Sequence, residues 1–143
     1  MTPRLPIGSR PGRQIPRQAW IAAALVAAAA LFWAATTDVV YEITSPPSWS
    51  WHVLLRKAYS VAAFAVVGSL AGRALGPSKR PVLRSTLVVA AYSATIESVQ
   101  WLQGSKEGFG WNAFDIGCGG LGGWLAAAID TAVRSRGLPV PRR

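Results

Sequence analysis

The sequence predicts an all-α integral membrane protein with four transmembrane helices and both termini in the cytoplasm. Three observations carry this expectation. The apolar residues fall into four blocks, 51% apolar content coexists with a net charge of +9, and the arginines and lysines gather in alternate connections. A chain that is half apolar and strongly basic must keep the two apart, and a membrane protein does so by confining charge to the flanks of its spans. Strong basicity would also suit a nucleic-acid binder. Here the basic residues lie in short flanks between apolar blocks, so no nucleic-acid partner is expected.

The first block runs from Ala19 to Thr37 and carries no charge, close to the roughly 20 residues that cross a hydrocarbon core. Arg4, Arg10, Arg13 and Arg17 precede it, so a cleaved signal peptide is the rival reading. The small-x-small cleavage pattern is poor around Phe32-Trp33-Ala34-Ala35, which favours a retained helix. The second block runs from Trp49 to Gly72. Its uncharged part, Ala58 to Gly72, is too short to span alone. Arg56 and Lys57 must therefore lie in the outer end of the helix, where long side chains reach the interface. Gly68-x-x-x-Gly72 would give this helix a close-packing face.

The third block runs from Val82 to Leu102, with Thr86, Ala90, Ser93, Glu97 and Gln100 in one small-and-polar stripe at helical spacing. Such a stripe should face protein or a water-filled cavity rather than lipid. The fourth runs from Trp111 to about Val133, and Asn112, Asp115, Gly119, Gly122 and Ala126 share a face. Gly119-x-x-x-Gly123 would let a neighbouring backbone approach closely. The four-helix domain thus covers 19–133, with helices near 19–37, 49–72, 82–102 and 111–133. The flanks 1–18 and 134–143 read as poorly ordered basic cytoplasmic tails rich in proline and arginine.

Positive charge sets the orientation. The first loop holds Asp38 and Glu42, the second connection Arg73, Lys79, Arg80 and Arg84, the third only Lys106 beside Glu107, and the C-terminal tail four arginines. Basic flanks alternate in, out, in, out, in. The same alternation brings His52, Arg56, Lys57, Glu97, Gln100, Asn112 and Asp115 to the outer leaflet. Glu97 lies about five residues past the middle of its block, roughly 7–8 Å along a helix. An ionisable side chain at that depth is costly and is usually kept for a function or a specific pairing.

Glu97, Gln100 and Asp115, supported by Asn112, Lys106, Arg56 and Lys57, are therefore the candidate functional cluster. Glu97 and Asp115 would hold a polar or cationic group, Gln100 and Asn112 would orient it, and Arg56 or Lys57 would balance charge. The plainer alternative is a clasp in which Glu97 pairs with Arg56 or Lys57 to hold three helices together. Elsewhere the plain readings prevail. Asp130 and Arg134 form an i,i+4 ion pair, and Cys118 is a small packing residue. Trp20, Trp49, Trp51, Trp101 and Trp111 are interfacial anchors, and His52 is interfacial. One cysteine and one histidine exclude a disulfide within the chain and a multi-histidine metal site, and no cofactor is expected. The segment from Gly104 to Gly110 lacks the strand-turn-helix setting of a phosphate loop.

Glu97-x-x-Gln100, a short basic-containing loop, then Asp115 and a glycine-rich apolar helix resemble the VanZ-like family of small bacterial membrane proteins, named for a teicoplanin-resistance gene product. The stretch from Arg56 to Phe64 also looks like that family's second helix, with Ser60 where many members carry histidine. Lys106 stands where arginine is usual, Gly119 stands where asparagine is usual, and the segment from Lys106 to Asp115 is about three residues longer than typical. The resemblance covers roughly Arg56 to Ala128. It implies a multi-pass protein of the bacterial cytoplasmic (inner) membrane acting at its outer face, in glycopeptide (teicoplanin-type) resistance or envelope maintenance. A lipid-linked or glycopeptide ligand would then be the partner, alongside the bilayer itself. Two alternatives accompany it. One is an intramembrane enzyme using Glu97 and Asp115 as an acid–base pair on a lipid-linked substrate. The other is an accessory subunit, or a homo-oligomer, packing through Gly68/Gly72 and Gly119/Gly123.

Overall fold

The chain folds into four α-helices, seen in a computed structural model that describes residues 15–37, 40, 43, 51–104 and 108–136. Helix α1 is Arg17–Ala35, α2 His52–Leu75, α3 Pro81–Leu102 and α4 Phe109–Arg136. Each end has a local cause. Pro16 precedes α1 and needs no N–H partner, while Thr36 closes the helix by donating its hydroxyl to Phe32 O at 2.8 Å. Gly76, with φ 77°, turns the chain out of α2. Pro81 occupies the first turn of α3, where its missing donor costs nothing.

Helices begin and end slightly off the predicted bounds. The first starts two residues early at Arg17, and the second starts at His52 instead of Trp49. The fourth covers 109–136, so Arg134 belongs to a helix rather than to a tail. Asp130 and Arg134 pair at 2.8 Å, as their spacing predicts. Arg73 joins them at 3.8 Å from Asp130 and lies over the Trp20 ring at 5.2 Å. Among the predicted interfacial tryptophans, Trp49 lies outside the described residues, whereas Trp51, Trp101 and Trp111 are exposed. Trp124, half-exposed well inside α4, was not anticipated as lipid-facing.

The helices alternate in direction. The C-terminus of α1, the start of α2, the end of α3 and the start of α4 gather at one end, around a shared cavity. At the other end Arg17 donates to Ala74 O at 2.9 Å, and Arg84 donates to Gly76 O and to Pro77 O. These bonds hold the start of α1 and the α2–α3 turn to the bundle.

Glycine makes α4 the central helix. A Cβ built at Gly122 would sit 2.6 Å from Phe64 Cβ and 2.8 Å from Val61 O of α2. One at Gly123 would sit 2.6 Å from Ser85 O of α3, and one at Gly119 would overlap Ser93 Cβ. Two different helices thus touch α4 at backbone distance, which only missing side chains permit. Gly68 of α2 completes the contact, with Ala126 Cβ and Val89 Cγ2 each 3.2 Å from its virtual Cβ. Gly72 has nothing within 4 Å, so the predicted Gly68/Gly72 face is a single-glycine contact. Cys118 is buried on α4 among these packing residues.

The core is small: Phe64, Val89 and Ile96 are buried, with Leu31, Phe32, Ala35 and Tyr92 packed against them. Much of the remaining apolar surface faces outward, and Leu25, Val26, Leu54 and Leu102 are each at least 66% exposed. So large an apolar surface is rare in a soluble monomer and suits a lipid environment. By length and composition α1, α2 and α4 can each cross a membrane. Helix α3 is as long, at 22 residues, but Ser85, Thr86, Ser93, Thr95, Glu97, Ser98 and Gln100 reduce its apolar character.

Candidate functional site

At the end where α1 stops and α2 starts lies a cavity of about 650 Å³, within the usual range for small-molecule sites. All four helices contribute to it. Arg56, Lys57 and Ser60 come from α2, Glu97 and Gln100 from α3, and Asp115 from α4. Its deeper wall is apolar and includes Leu31, Ala34, Ala63, Phe64 and Ile96. From Arg56 at the charged mouth to Phe64 is eight residues of helix, so the lining as a whole runs about 12 Å along α2.

The centre of the site is an ion pair between Lys57 Nζ and Asp115 Oδ1. Lys57 also lies 5.6 Å from the Trp111 ring centroid and 5.7 Å from that of Phe114, both on α4. A carboxylate and two aromatic faces thus hold one ammonium, and each is favourable where water is scarce. Asp115 is positioned from behind: its backbone oxygen accepts the Ser93 hydroxyl at 3.1 Å. Ser93, 1% exposed, forms the floor under the closest α3–α4 approach.

The other predicted residues divide. Glu97 and Arg56 line the same cavity. The clasp expected from the sequence joined Glu97 to Arg56 or Lys57; the pairing of Lys57 with Asp115 was not anticipated. Gln100 lines the cavity too, but its Nε2 donates to Ala35 O at 2.6 Å. That bond satisfies a carbonyl left open at the end of α1, so Gln100 also tethers α1 to the site. Asn112 lies half-buried one turn before Asp115 and is not part of the cavity lining. Lys106 lies outside the described residues. His52 is half-buried in the first turn of α2 and is not among the lining residues.

Sequence reasoning missed the contribution of α1. Its backbone at Ala35 and its side chains at Leu31 and Ala34 wall the cavity. Tyr92 of α3 donates to Ala28 O and meets the Phe64 ring edge-on at 6.2 Å. An alanine-rich helix whose cavity-facing turns carry no polar side chain gives no sequence signal for such a role. Ser60 was more legible, lying one turn beyond Arg56, whose backbone oxygen it bonds at 3.0 Å.

Among the described residues no three His, Cys, Asp or Glu side chains come together as a metal site would require. The arrangement can bind a polar or charged group at its mouth while apolar wall receives a hydrocarbon portion. Set against protein-family models, curated proteins and solved structures, the chain matches none.

Proposed function

We propose that the chain is a four-pass protein of the bacterial cytoplasmic membrane, with both termini inside, whose outward-opening cavity binds the polar head of an envelope amphiphile. The observation that carries this reading is the cavity itself: four charged side chains from three helices meet at one end of an otherwise apolar bundle. Charge at membrane depth is rare unless function or pairing retains it.

Two further facts support the topology. Basic residues flank the opposite end, with Arg17, Arg73, Lys79, Arg80, Arg84 and Arg134 all there, as the positive-inside rule requires of a cytoplasmic face. Helix α3 can serve as the fourth span because it turns Ser85 and Ser93 inward and leaves Leu83, Leu87, Trp101 and Leu102 exposed. Its outward hydroxyls are satisfied within the helix, Thr95 by Ala91 O at 3.0 Å and Ser98 by Ala94 O at 2.7 Å.

The VanZ-like resemblance, which rests on Glu97, Gln100, Asp115 and the stretch from Arg56 to Phe64, suggests the setting: the outer face of the membrane and protection against glycopeptides of the teicoplanin type. The enzymatic alternative has less support, since Lys57 holds the Asp115 carboxylate as its counter-ion. The accessory-subunit alternative has less support, since Gly68, Gly119 and Gly123 pack within the chain and only Gly72 of those four is open.

Susceptibility to a lipoglycopeptide tests the function. A sensitive host expressing the wild-type chain should tolerate more of the drug than one expressing Glu97→Gln at matched membrane levels. Equal susceptibility of the wild-type strain and an empty-vector strain would count against the resistance setting.

A further inference from the structure

The charges lining the cavity say which kind of head it takes. Two cations, Arg56 and Lys57, face two anions, Glu97 and Asp115, so the described lining is electroneutral. Lys57 and Asp115 form one matched pair, and Arg56 and Glu97 add one base and one acid to the same lining. A ligand of net charge brought into such a site would keep an uncompensated charge in a low dielectric, and that is strongly unfavourable. A neutral sugar head would need no ionised side chain, and the costly burial of four would go unused. A ligand carrying one positive and one negative group meets both signs and leaves nothing unbalanced.

Resting on the proposed binding role, we infer that the ligand is a zwitterionic amphiphile whose head joins a primary ammonium to a phosphate. The ammonium faces Glu97 and Asp115, where its N–H groups find carboxylate acceptors. The phosphate faces Arg56 and Lys57, and Arg56 suits it through paired N–H donors. The hydrocarbon portion lies along Leu31, Ala63, Phe64 and Ile96, the apolar inner part of the lining. The head thus stays at the mouth while the chain runs inward.

Binding of short-chain phospholipids to the delipidated protein, in a non-ionic detergent and followed by native mass spectrometry, tests this. Phosphatidylethanolamine should be retained at least about tenfold more tightly than phosphatidylglycerol by the wild-type protein. Glu97→Gln should reduce that preference, while Lys79→Gln in the distant α2–α3 turn should leave it intact. The wild-type comparison needs no variant, so the test survives if Glu97→Gln fails to fold. Tighter retention of phosphatidylglycerol overturns the zwitterionic head while leaving a lipid-binding cavity. Retention of neither lipid overturns it too, and the resistance assay then separates the cases: a drug effect lost in Glu97→Gln keeps the envelope reading, whereas no drug effect removes that reading as well.

Discussion

Gly122→Leu should disassemble the bundle. The virtual Cβ at this position lies 2.8 Å from Val61 O and 2.9 Å from Ala65 N, and backbone atoms cannot rotate away as a side chain could. Accommodating even one carbon requires α2 and α4 to separate, which also pulls Phe64 from Val89 and Ile96 in the core. Overpacking of a well-packed core typically destabilises by about 1–3 kcal/mol, and this site belongs at or above the upper end. Without a strong hydrophobic drive between helices in lipid, close backbone packing is a leading source of association. The purified variant should aggregate on size-exclusion chromatography or lose its cooperative melt in detergent. Gly117→Leu is the matched control, because nothing lies within 4 Å of its virtual Cβ on the same helix. It should melt close to the wild type. Equal melting of the two variants would contradict the helix arrangement.

The second large effect is expected at the ion pair. Lys57→Met leaves the Asp115 carboxylate, 17% exposed, without its counter-ion inside the bundle. Removing one partner of a buried pair costs about 3–5 kcal/mol, mostly from the charge left behind. The variant also loses the contacts of the ammonium with Trp111 and Phe114. Asp115→Asn should be milder, since the lysine keeps both rings and its long stem can carry the charge toward the mouth. The double variant Lys57→Met/Asp115→Asn should recover much of the loss, giving a coupling energy of roughly 1–3 kcal/mol in a double-mutant cycle. Thermal unfolding of the four proteins checks this. Strict additivity would mean that Lys57 and Asp115 do not stabilise each other.

Much of this molecule was legible because bilayer spans leave strong traces in sequence. Block length, uncharged interiors and alternating basic flanks indicated four helices and gathered Arg56, Lys57, Glu97, Gln100 and Asp115 at one end. Gly119, Gly122 and Ala126 were read as one face of the last helix, and they do pack inward. What could not be read was direction in detail. Periodicity ranks Asn112 and Asp115 alike, yet only the latter lines the cavity. Gln100 lines the cavity as expected, and its bond to a backbone carbonyl of α1 adds a partner that sequence does not distinguish. Gly72 matched a spacing rule, but nothing lies within 4 Å of its virtual Cβ. Lys57 had two acids within reach on paper. The choice of Asp115 goes with the close approach of α2 to α4, which Gly122 permits two turns along the same face.

The orientation and the outward-opening cavity are tested together by the reactivity of one introduced thiol. In a Cys118→Ala background, which removes the only cysteine, Ser60→Cys places a thiol in the cavity lining. Lys79→Cys places one in the exposed α2–α3 turn. A membrane-impermeant maleimide applied to intact spheroplasts should label Ser60→Cys and spare Lys79→Cys until the membrane is opened. Labelling of Lys79→Cys on intact spheroplasts, with Ser60→Cys reached only after lysis, would contradict it.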